Sequence, residues 1–459
     1  MLEHVRRSLT AESEMKNIKI TLWALLIGLT LLWALAETFL PKPLTYFSLR
    51  AVLVQYTGVI AMAAMSVAMM LAVRPRRPES LLGGLDKMYR LHRWLGISVL
   101  AFGSVHWAWA KGTKWAVGWG WLSKPARGRG AGLELGSIEQ LLRSQRGLAE
   151  TLGEWAFYAA GVLIILALVK RFPYRWFAKT HTILAALYLV LVFHTVVLVK
   201  FAYWSQPVGI VTALLLVGGT LAAFQALFKR IGARRKVQGE IQTLIQYPEL
   251  NVLETHIALQ AGWPGHKAGQ FAFVTSSESE GAHPYTIASA WNPPQAQISF
   301  ITKALGDHTS RLPQTLHVGD LVTVEGPYGC FTFEDQNQRQ IWIGAGIGIT
   351  PFVARLKQLA LEPDRQHSID LFHPSGEYSP QAIDKLRADA AAAGVRLHLL
   401  VAGQNGCLSG ERLRKEVPDW QDASVWFCGP TGFGQSLRDD LVAHGLKPED
   451  FHQELFQMR

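Results

Sequence analysis

Six long apolar runs occupy the first half of the chain and constrain its fold more than any other feature. They span residues 20–40, 51–73, 93–110, 153–169, 181–200 and 206–228. A helix needs roughly 20 apolar residues to cross the hydrocarbon core of a bilayer. Because backbone groups in lipid must be hydrogen-bonded within the protein, such runs form helices. The sequence therefore predicts a six-helix transmembrane bundle over residues 18–230.

Basic residues cluster at the ends of these runs and favour one orientation. Lys and Arg number 19 in the N-terminal tail and in segments 74–93, 170–179 and 229–236, against 10 in the connections on the other side. The positive-inside rule then places both termini in the cytoplasm, and we expect a multi-pass protein of the cell (inner) membrane. Residues 1–17 lack the apolar core of a signal peptide and are interpreted as a cytoplasmic tail. The net charge of +10 follows this membrane pattern, so no nucleic-acid partner is expected.

Four histidines stand out in the apolar half, because ionisable groups inside membranes are rare and usually functional. His92 and His106 are 14 residues apart at the third run, and His181 and His194 are 13 apart on the fifth. A helix rises about 1.5 Å per residue, so each pair spans roughly 20 Å. The topology brings His92 to His181 near the cytoplasmic side and His106 to His194 farther out. Since two neutral imidazoles can supply both axial ligands of a haem iron, the sequence predicts two b-type haems.

An alternative interpretation is that these histidines are polar residues packing between helices. The second spacing also raises a geometric question, because 13 residues advance ~220° beyond whole helical turns. His181 and His194 would then not share a helix face. Either the fifth run has a local distortion, or the two haems have different orientations. Covalent c-type attachment of haem is excluded, since the chain contains no CxxCH motif.

The second half of the chain has the pattern of a soluble protein. Residues 237–335 contain short strands separated by turns, which predicts a small antiparallel β-barrel. Residues 338–459 alternate strands with helices, which predicts an α/β doubly wound domain around a parallel sheet. The predicted fold class is therefore multi-domain. Cys330, Cys407 and Cys428 all lie in this half, and unpaired cysteines fit a reducing cytosol.

Two glycine-rich turns mark the predicted α/β domain. Gly344–Pro351 follows a strand and opens a helix, so its small residues would let the backbone approach a pyrophosphate at the helix N-terminus. Phe427–Pro430 ends a later strand of the same sheet. A tight packing turn would use the same glycines. In the predicted barrel, His283–Ser289 and Lys303–Thr309 could hold a flavin ring and its diphosphate, or could be only a strand and a loop.

The order of these motifs resembles the ferredoxin–NADP reductase superfamily. The matching segments are Ala268–Phe271, His283–Ser289, Glu325–Gly329, Gly344–Pro351, Phe427–Pro430 and Glu454–Phe456. The membrane half resembles the ferric reductase transmembrane domain shared by NADPH oxidases and ferric-chelate reductases, with the same histidine spacings of 14 and 13. The resemblance covers about residues 18–459 and implies a fusion of this membrane domain to an FAD-binding barrel and an NAD(P)H-binding domain.

The resemblance also implies roles for individual residues. Tyr285 and Thr286 would contact the flavin and its ribityl chain, and the Phe456 ring would stack on the isoalloxazine and move for hydride transfer. The residues near the FAD pyrophosphate would be His283, Lys303, Gly306 and Thr309, and the predicted cofactor-binding set also contains Pro284, Ser289 and Thr302. The residues around the nicotinamide dinucleotide would be Gly344, Gly346, Gly348, Thr350, Pro351, Cys428, Gly429 and Pro430. Phe456 and Cys428 are the candidate catalytic residues.

The sequence departs from this family in three places. Lys303 stands where the family often has arginine, and lysine lacks the bidentate fork of a guanidinium. Gln457–Arg459 follow Phe456, where oxidases commonly end at the aromatic residue. Many NADPH users place an arginine after the second strand of the α/β domain, whereas this chain has His373–Glu377, whose serine could help and whose glutamate would repel a 2′-phosphate. The choice between NADPH and NADH stays open.

These features together predict an NAD(P)H-dependent flavocytochrome oxidoreductase. Electrons from cytoplasmic NAD(P)H would pass through FAD, the inner haem and the outer haem to an acceptor on the outer face. Dioxygen as acceptor gives a superoxide-forming oxidase, and a ferric chelate gives a ferric reductase. The seven basic residues of loop 111–152 could attract anionic chelates. The third possibility is an electron-donor module for a periplasmic or extracellular partner protein, and the oligomeric state is open.

Overall fold

A computed structural model describes most of the chain as two compact units. The described residues are 12–123, 136–169, 172, 174–277, 280–335, 337–362, 368–404 and 406–454. One unit contains Ile18–Pro78 and Met88–Ile231, and the other contains residues 12–17, Glu79–Lys87 and the described chain from Gly232 onward. The short segment Glu79–Lys87 therefore groups with the second half of the sequence, although it lies between the second and third predicted spans.

Helices make up the first half of the chain. They are α1 (Glu12–Ala36), α2 (Tyr46–Ala72), α3 (Arg76–Leu82), α4 (Leu85–Gly118), α5 (Ser137–Ser144), α6 (Arg146–Leu168), α7 (Tyr174–Leu198) and α8 (Pro207–Leu227). Helix α2 begins with a capping box, in which the Thr45 hydroxyl accepts from the Ser48 N–H and the Ser48 hydroxyl accepts from the Thr45 N–H. Pro207 occupies the first turn of α8, where no backbone donor is needed.

Five of these helices are long and apolar enough to cross a membrane, and they are Ile18–Ala36 of α1, α2, α6, Lys179–Leu198 of α7 and α8. Apolar side chains such as Trp23, Leu31 and Leu35 of α1 point away from the protein, as they would towards lipid. The third predicted span lies on α4, which has 34 residues. Because of its basic and polar side chains, α4 is not among the helices that are apolar enough to cross a membrane. The predicted helical region with several apolar helices is thus confirmed, and the six spans stay a prediction.

The next part of the chain forms a six-stranded antiparallel sheet. Its elements are β1 (Lys236–Tyr247), β2 (Val252–Leu259), β3 (Phe271–Thr275), β4 (His283–Thr286), β5 (Gln297–Lys303), α9 (Asp307–Thr315) and β6 (Leu321–Tyr328). The strand order is β4-β3-β6-β1-β2-β5. A bridge between Ile287 and Phe300 links the two edge strands, and both side chains are buried. The predicted antiparallel sheet is confirmed, whereas its full closure as a barrel stays a prediction.

The last part of the chain forms a five-stranded parallel sheet. Its elements are β7 (Arg339–Gly344), α10 (Thr350–Leu359), β8 (Ser368–Ser375), α11 (Pro380–Ala393), β9 (Arg396–Val401), α12 (Gly410–Glu416), β10 (Ala423–Cys428), α13 (Thr431–Ala443) and β11 (Phe451–Gln453). The strand order is β11-β10-β7-β8-β9, with all neighbours parallel. Trp342 packs with α10 and α11, whereas Ile341 and Ile343 pack with α12 and α13, so helices cover both faces.

The strand order reverses between β7 and β10, which makes the carboxyl ends of these two strands a topological switch point. Ligands of open α/β sheets bind in the crevice at such a point. Gly344 and Cys428 end these strands and lie opposite each other in the ladder. The fold therefore brings both predicted glycine-rich turns to one edge of the sheet.

Candidate functional site

The inner histidine pair joins α4 and α7. The ring centroids of His92 and His181 are 5.9 Å apart, with an angle of 65° between the ring planes. The Nδ1 atom of His92 lies 2.9 Å from the carbonyl oxygen of Ala68. The Nδ1 atom of His181 is buried and has no hydrogen-bond partner among the described residues. The His181 ring stacks on Phe177, with centroids 4.9 Å apart.

The outer histidine pair joins the same two helices. The ring centroids of His106 and His194 are 6.2 Å apart, with 78° between the planes. The Nδ1 atom of His106 lies 2.9 Å from the carbonyl oxygen of Val54, and that of His194 lies 2.8 Å from the carbonyl oxygen of Ala149. The structure therefore brings together both pairs that the topology predicts.

This geometry fits two imidazoles that face one metal ion from opposite sides. A backbone carbonyl next to Nδ1 keeps the proton on that atom and leaves Nε2 as the ligand atom. An imidazole–metal bond is about 2 Å long, so two rings on opposite sides of one ion have centres roughly 6 Å apart. Three of the four histidines have the required Nδ1 partner, and both ring separations match this distance.

Helix α7 is α-helical without interruption from Tyr174 to Leu198. Of the two alternatives raised by the 13-residue spacing, a break in the helix is therefore not observed. The two rings instead have different surroundings, since His181 stacks on Phe177 and His194 approaches Ala149 of α6. The two pairs also differ in the angle between their ring planes, which is 65° in one and 78° in the other.

Gly153 allows α6 to approach the outer pair. A Cβ atom added at Gly153 would lie 1.9 Å from the Nδ1 atom of His194, a distance no real side chain could tolerate. Gly153 was not among the predicted site residues. The signal in the sequence is a glycine within an apolar run, but its role depends on which helices pack together.

A cavity of about 1230 Å³ adjoins the outer pair. His106 and His194 line it together with apolar residues such as Met62, Leu100 and Phe157. Charged residues line another part, where Lys111 and Glu154 form an ion pair with 2.6 Å between Nζ and a carboxylate oxygen. The charged residues of the lining are Arg50, Lys111, Lys114, Arg143, Arg146, Lys200, Glu37, Glu139, Glu150 and Glu154. The basic residues 124, 127 and 129 of the predicted steering loop lie outside the described residues.

Strand β4 carries the predicted flavin-contacting residues His283, Pro284, Tyr285 and Thr286. The hydroxyl of Tyr285 is buried and has no hydrogen-bond partner among the described residues. Burial raises the pKa of Tyr285, so the hydroxyl remains a hydrogen-bond donor. A buried donor without a partner is costly, and a ligand that accepts from it would remove that cost. This strand therefore fits the predicted flavin.

The imidazole of His308 stacks on that of His283, with ring centroids 3.7 Å apart and planes 7° apart. Burial, and then the proximity of His308, lowers the pKa of His283 to about 4. His283 is therefore neutral at neutral pH. His308 was not among the predicted site residues, because stacking across a strand and a helix start cannot be read from sequence spacing.

The remaining predicted residues of the antiparallel sheet have local partners. The hydroxyl of Thr309 accepts hydrogen bonds from the Leu305 and Gly306 N–H groups at 3.0 and 3.1 Å and so caps α9. The hydroxyl of Thr302 donates to the Leu253 carbonyl at 3.2 Å, and the hydroxyl of Ser289 accepts from the Ser299 N–H at 3.1 Å. Thr302 and Ser289 thus support the sheet. Lys303 forms an ion pair with Glu377.

The first glycine-rich turn combines tight packing with an open side. A Cβ atom at Gly348 would lie 2.2 Å from the Cys428 carbonyl oxygen, so this glycine lets the two turns meet. Gly346 has a φ of 56°, and a Cβ atom there would have no neighbour within 4 Å. The hydroxyl of Thr350 donates to the Ile347 carbonyl at 2.8 Å, and Pro351 lies in the first turn of α10. Gly348 therefore serves tight packing, Gly346 leaves an open side, and dinucleotide binding by this turn stays a prediction.

Cys428 is followed by Gly429 and Pro430, which lead into α13. The thiol is buried, and burial followed by the nearby Glu454 carboxyl raises its pKa well above the ordinary value. Glu454 is also buried, its Oε2 atom has no partner among the described residues, and burial raises its pKa well above the ordinary value. Burial thus favours the protonated form of both the Cys428 thiol and the Glu454 carboxyl. Phe456, the other candidate catalytic residue, lies outside the described residues.

Family comparisons agree with this two-part organisation. Residues 57–192 match the model of the ferric reductase like transmembrane component, and residues 238–332 match that of an FAD-binding domain. The chain joins a ferric reductase-like transmembrane domain to an FAD-binding domain. The first matched range contains His92, His106 and His181, and the second contains His283 and Tyr285. These matches indicate a flavin-dependent oxidoreductase of the membrane.

Curated relatives share part of the chain. The flavohemoprotein of Oceanobacillus iheyensis is 24% identical over 187 residues, which are 38% of this chain and 46% of that protein. Reductase component 2 of terephthalate 1,2-dioxygenase from Comamonas sp is 29% identical over 203 residues, which are 41% of this chain and 59% of that protein. The chain thus spans about half the length of the curated relatives it matches.

Solved structures show weaker similarity. A flavohemoglobin from Malassezia yamatoensis with bound FAD and heme is 18% identical, with a TM-score of 0.45 over 89% of this chain and 97% of that chain. The ferredoxin reductase in carbazole 1,9a-dioxygenase is 18% identical, with a TM-score of 0.41 over 48% of this chain and 69% of that chain. Both TM-scores are below 0.5.

Proposed function

We propose that this protein transfers electrons from NAD(P)H in the cytoplasm to an acceptor on the outer face of the membrane. FAD would take up a hydride and release single electrons, and two b-type haems would carry them across the bilayer. The protein residues bind and orient these groups and exclude water from them. In this proposal α4 forms the sixth membrane span and the antiparallel sheet closes into the predicted barrel.

The two histidine pairs are the observation that carries the proposal. Each pair contributes one ring from α4 and one from α7, at separations that suit two axial ligands of one metal ion. Histidines that merely packed between helices would have no reason to repeat this arrangement twice. The carbonyl oxygens of Ala68, Val54 and Ala149 would fix the ring orientations from the neighbouring helices.

In the reductase half, the residues at the switch point would position the nicotinamide coenzyme. The open side of Gly346 leaves room for a dinucleotide beside the N-terminus of α10. The Tyr285 hydroxyl would donate a hydrogen bond to the flavin from β4. Cys428 and Glu454 would present a neutral thiol and a neutral carboxylic acid to the same region, and Phe456 would cover the flavin until the coenzyme arrives.

The acceptor is proposed to be dioxygen or a ferric chelate. In the described lining of the cavity beside His106 and His194, six of the ten charged residues are basic and four are acidic, and this excess favours an anionic acceptor. The alternative is an electron-donor module for a periplasmic or extracellular partner protein. Slow turnover with both small acceptors would favour that alternative.

Reconstitution into liposomes tests the proposal. The haem-loaded protein should oxidise NAD(P)H on one side and reduce a membrane-impermeant acceptor on the other. Cytochrome c reduction that is sensitive to superoxide dismutase and independent of iron would identify dioxygen as the acceptor. Rapid NAD(P)H oxidation only after addition of ferric citrate would identify a ferric reductase.

The variant His106→Leu separates the two halves of the protein. It should abolish reduction of the acceptor on the outer face, because one outer ligand is lost. It should leave NAD(P)H-driven flavin reduction unchanged, because His106 lies in the membrane domain. Full transmembrane activity in this variant would refute the ligand assignment.

A further inference from the structure

A second cavity, of about 110 Å³, lies at the carboxyl edge of the parallel sheet. Its walls include Gly346 and Ile347 of the glycine-rich turn and Ser375 and Glu377 at the end of β8. Lys303 of β5 lines it from the antiparallel sheet. The cavity is therefore lined on one side by the turn that would hold the dinucleotide and on another by the end of β8, the second strand of the α/β domain.

The position of Glu377 in this wall is fixed by local hydrogen bonds. The hydroxyl of Ser375 donates to the Glu377 carbonyl oxygen at 2.7 Å and accepts from the Glu377 N–H at 3.2 Å. The Glu377 carboxylate forms an ion pair with Lys303, and its side chain remains 40% exposed. The carboxylate thus retains a solvent-facing surface that can accept further hydrogen bonds.

The charges around the cavity leave no surplus cation. Its described lining contains the acids Glu254, Glu377 and Asp389 and the bases Lys303 and Lys385, with no arginine. The Nζ atom of Lys385 lies 2.7 Å from both carboxylate oxygens of Glu254, and Lys303 is paired with Glu377. A 2′-phosphate would bring about two negative charges into a described lining in which both lysines are already paired with carboxylates.

We infer that Glu377 makes this cavity selective for the adenosine ribose of NADH over the 2′-phosphorylated ribose of NADPH. The free ribose hydroxyls are donors, and a carboxylate at the end of the second strand accepts from them. The same carboxylate repels a 2′-phosphate. This inference rests on the proposed function, and it resolves the coenzyme choice that the sequence leaves open.

Binding of coenzyme fragments tests the inference without requiring turnover. Calorimetric titration of the FAD-loaded protein with ADP-ribose and with 2′-phospho-ADP-ribose should show at least about tenfold tighter binding of ADP-ribose. Glu377→Gln should reduce this preference about tenfold, and Glu377→Arg should reverse it. The matched control Asp384→Asn should keep it, because Asp384 is an exposed acid of α11 that pairs with Arg387 outside the cavity lining.

Steady-state kinetics provides the second measurement. The ratio of kcat/KM for NADH to that for NADPH should follow the binding ratio in all four proteins. Tighter binding of 2′-phospho-ADP-ribose by the unmodified protein, an unchanged preference in both Glu377 variants, or no binding of either fragment would overturn the inference. If the fragment preference is as expected but neither coenzyme reduces the flavin, the proposed function fails while the ribose selectivity stands.

Discussion

At the scale of single residues, the orientation of each ring nitrogen decides what a histidine can do. Three of the four membrane histidines have Nδ1 within 2.9 Å of a backbone carbonyl oxygen, which leaves Nε2 available for a metal. In the reductase half, the Tyr285 hydroxyl and the Glu454 Oε2 atom are buried and have no hydrogen-bond partner among the described residues. Both are expected to interact with bound groups, and both can be tested separately.

The Tyr285 hydroxyl has no partner among the described residues, so its removal should weaken FAD binding without destabilising the apoprotein. We expect Tyr285→Phe to raise the Kd for FAD by roughly tenfold, which corresponds to one lost hydrogen bond. Fluorescence titration of the flavin measures this change. Tyr247→Phe is the control, because the Tyr247 hydroxyl donates to Glu254 at 3.0 Å and its loss should lower the melting temperature instead. Unchanged FAD affinity in Tyr285→Phe would contradict the assignment.

Glu454 should make the stability of the protein depend on pH. Burial, and then the negative charge of Asp86, raises its pKa well above the ordinary value of 4.5. The folded protein therefore retains a proton that the unfolded chain releases, and the resulting stability is lost as the pH rises above 4.5 towards the folded pKa. In the variant Glu454→Gln, the side chain at this position is uncharged at every pH.

The melting temperature of Glu454→Gln, relative to the unmodified protein, should accordingly increase between about pH 5 and about pH 8. Differential scanning fluorimetry across this range measures the difference. Glu249→Gln, at an exposed position, is the control for replacing a surface carboxylate. A difference that is constant with pH for Glu454→Gln would mean that its carboxyl is ionised in the folded protein.

At the scale of elements, the close approach of α6 to α7 holds the outer histidine in place. Gly153 permits this approach, because any side chain there would overlap the His194 ring. Gly161 lies on the same helix, but a Cβ atom there would be 3.9 Å from its nearest neighbour, the Leu100 side chain. The two glycines therefore form a matched pair for mutagenesis.

We expect Gly153→Ala to lose the outer haem and retain the inner one, because the new methyl group displaces His194. The haem content, measured by the pyridine haemochrome assay, should fall from about two to about one per chain. Gly161→Ala should keep both haems, since its methyl group fits in van der Waals contact. A full complement of haem in Gly153→Ala would show that the outer ligands tolerate a shift of α6.

Some features of the fold and of the candidate site could be predicted from the sequence, and others could not. The pairing of His92 with His181 and of His106 with His194 followed from topology, because two helices that cross the same layer must present their residues at matching depths. The switch point followed from the alternation of strands and helices. The role of Gly153, the stacking of His308 and the burial of Glu454 depend on contacts between distant segments, which no local pattern encodes. Lys303 was predicted beside a phosphate, but its ion pair with Glu377 required the tertiary structure.

At the scale of the whole molecule, the cavity beside His106 and His194 bears on which acceptor the proposed electron transfer would reach. Basic residues exceed acidic ones in the lining of the cavity beside His106 and His194, but most of the basic residues have acidic partners, as in the pairs Lys111–Glu154 and Lys114–Glu150. Attraction of an anionic chelate would then depend on the basic residues of the loop that follows α4. Dioxygen is uncharged and would not respond to them.

Charge reversal in that loop distinguishes the acceptors. Simultaneous Lys124→Glu, Arg127→Glu and Arg129→Glu should raise the apparent KM for ferric citrate severalfold at low ionic strength and much less at high salt. The rate of dioxygen reduction should be nearly unchanged. If neither activity responds, electrostatic steering by this loop is excluded.

Electron paramagnetic resonance of the purified, oxidised protein can show whether two haems are each held by one histidine from α4 and one from α7. This ligand assignment predicts two low-spin ferric signals per chain, with His92→Leu removing only one and His106→Leu removing only the other. A single signal, high-spin iron, or the loss of both signals in either variant would contradict it.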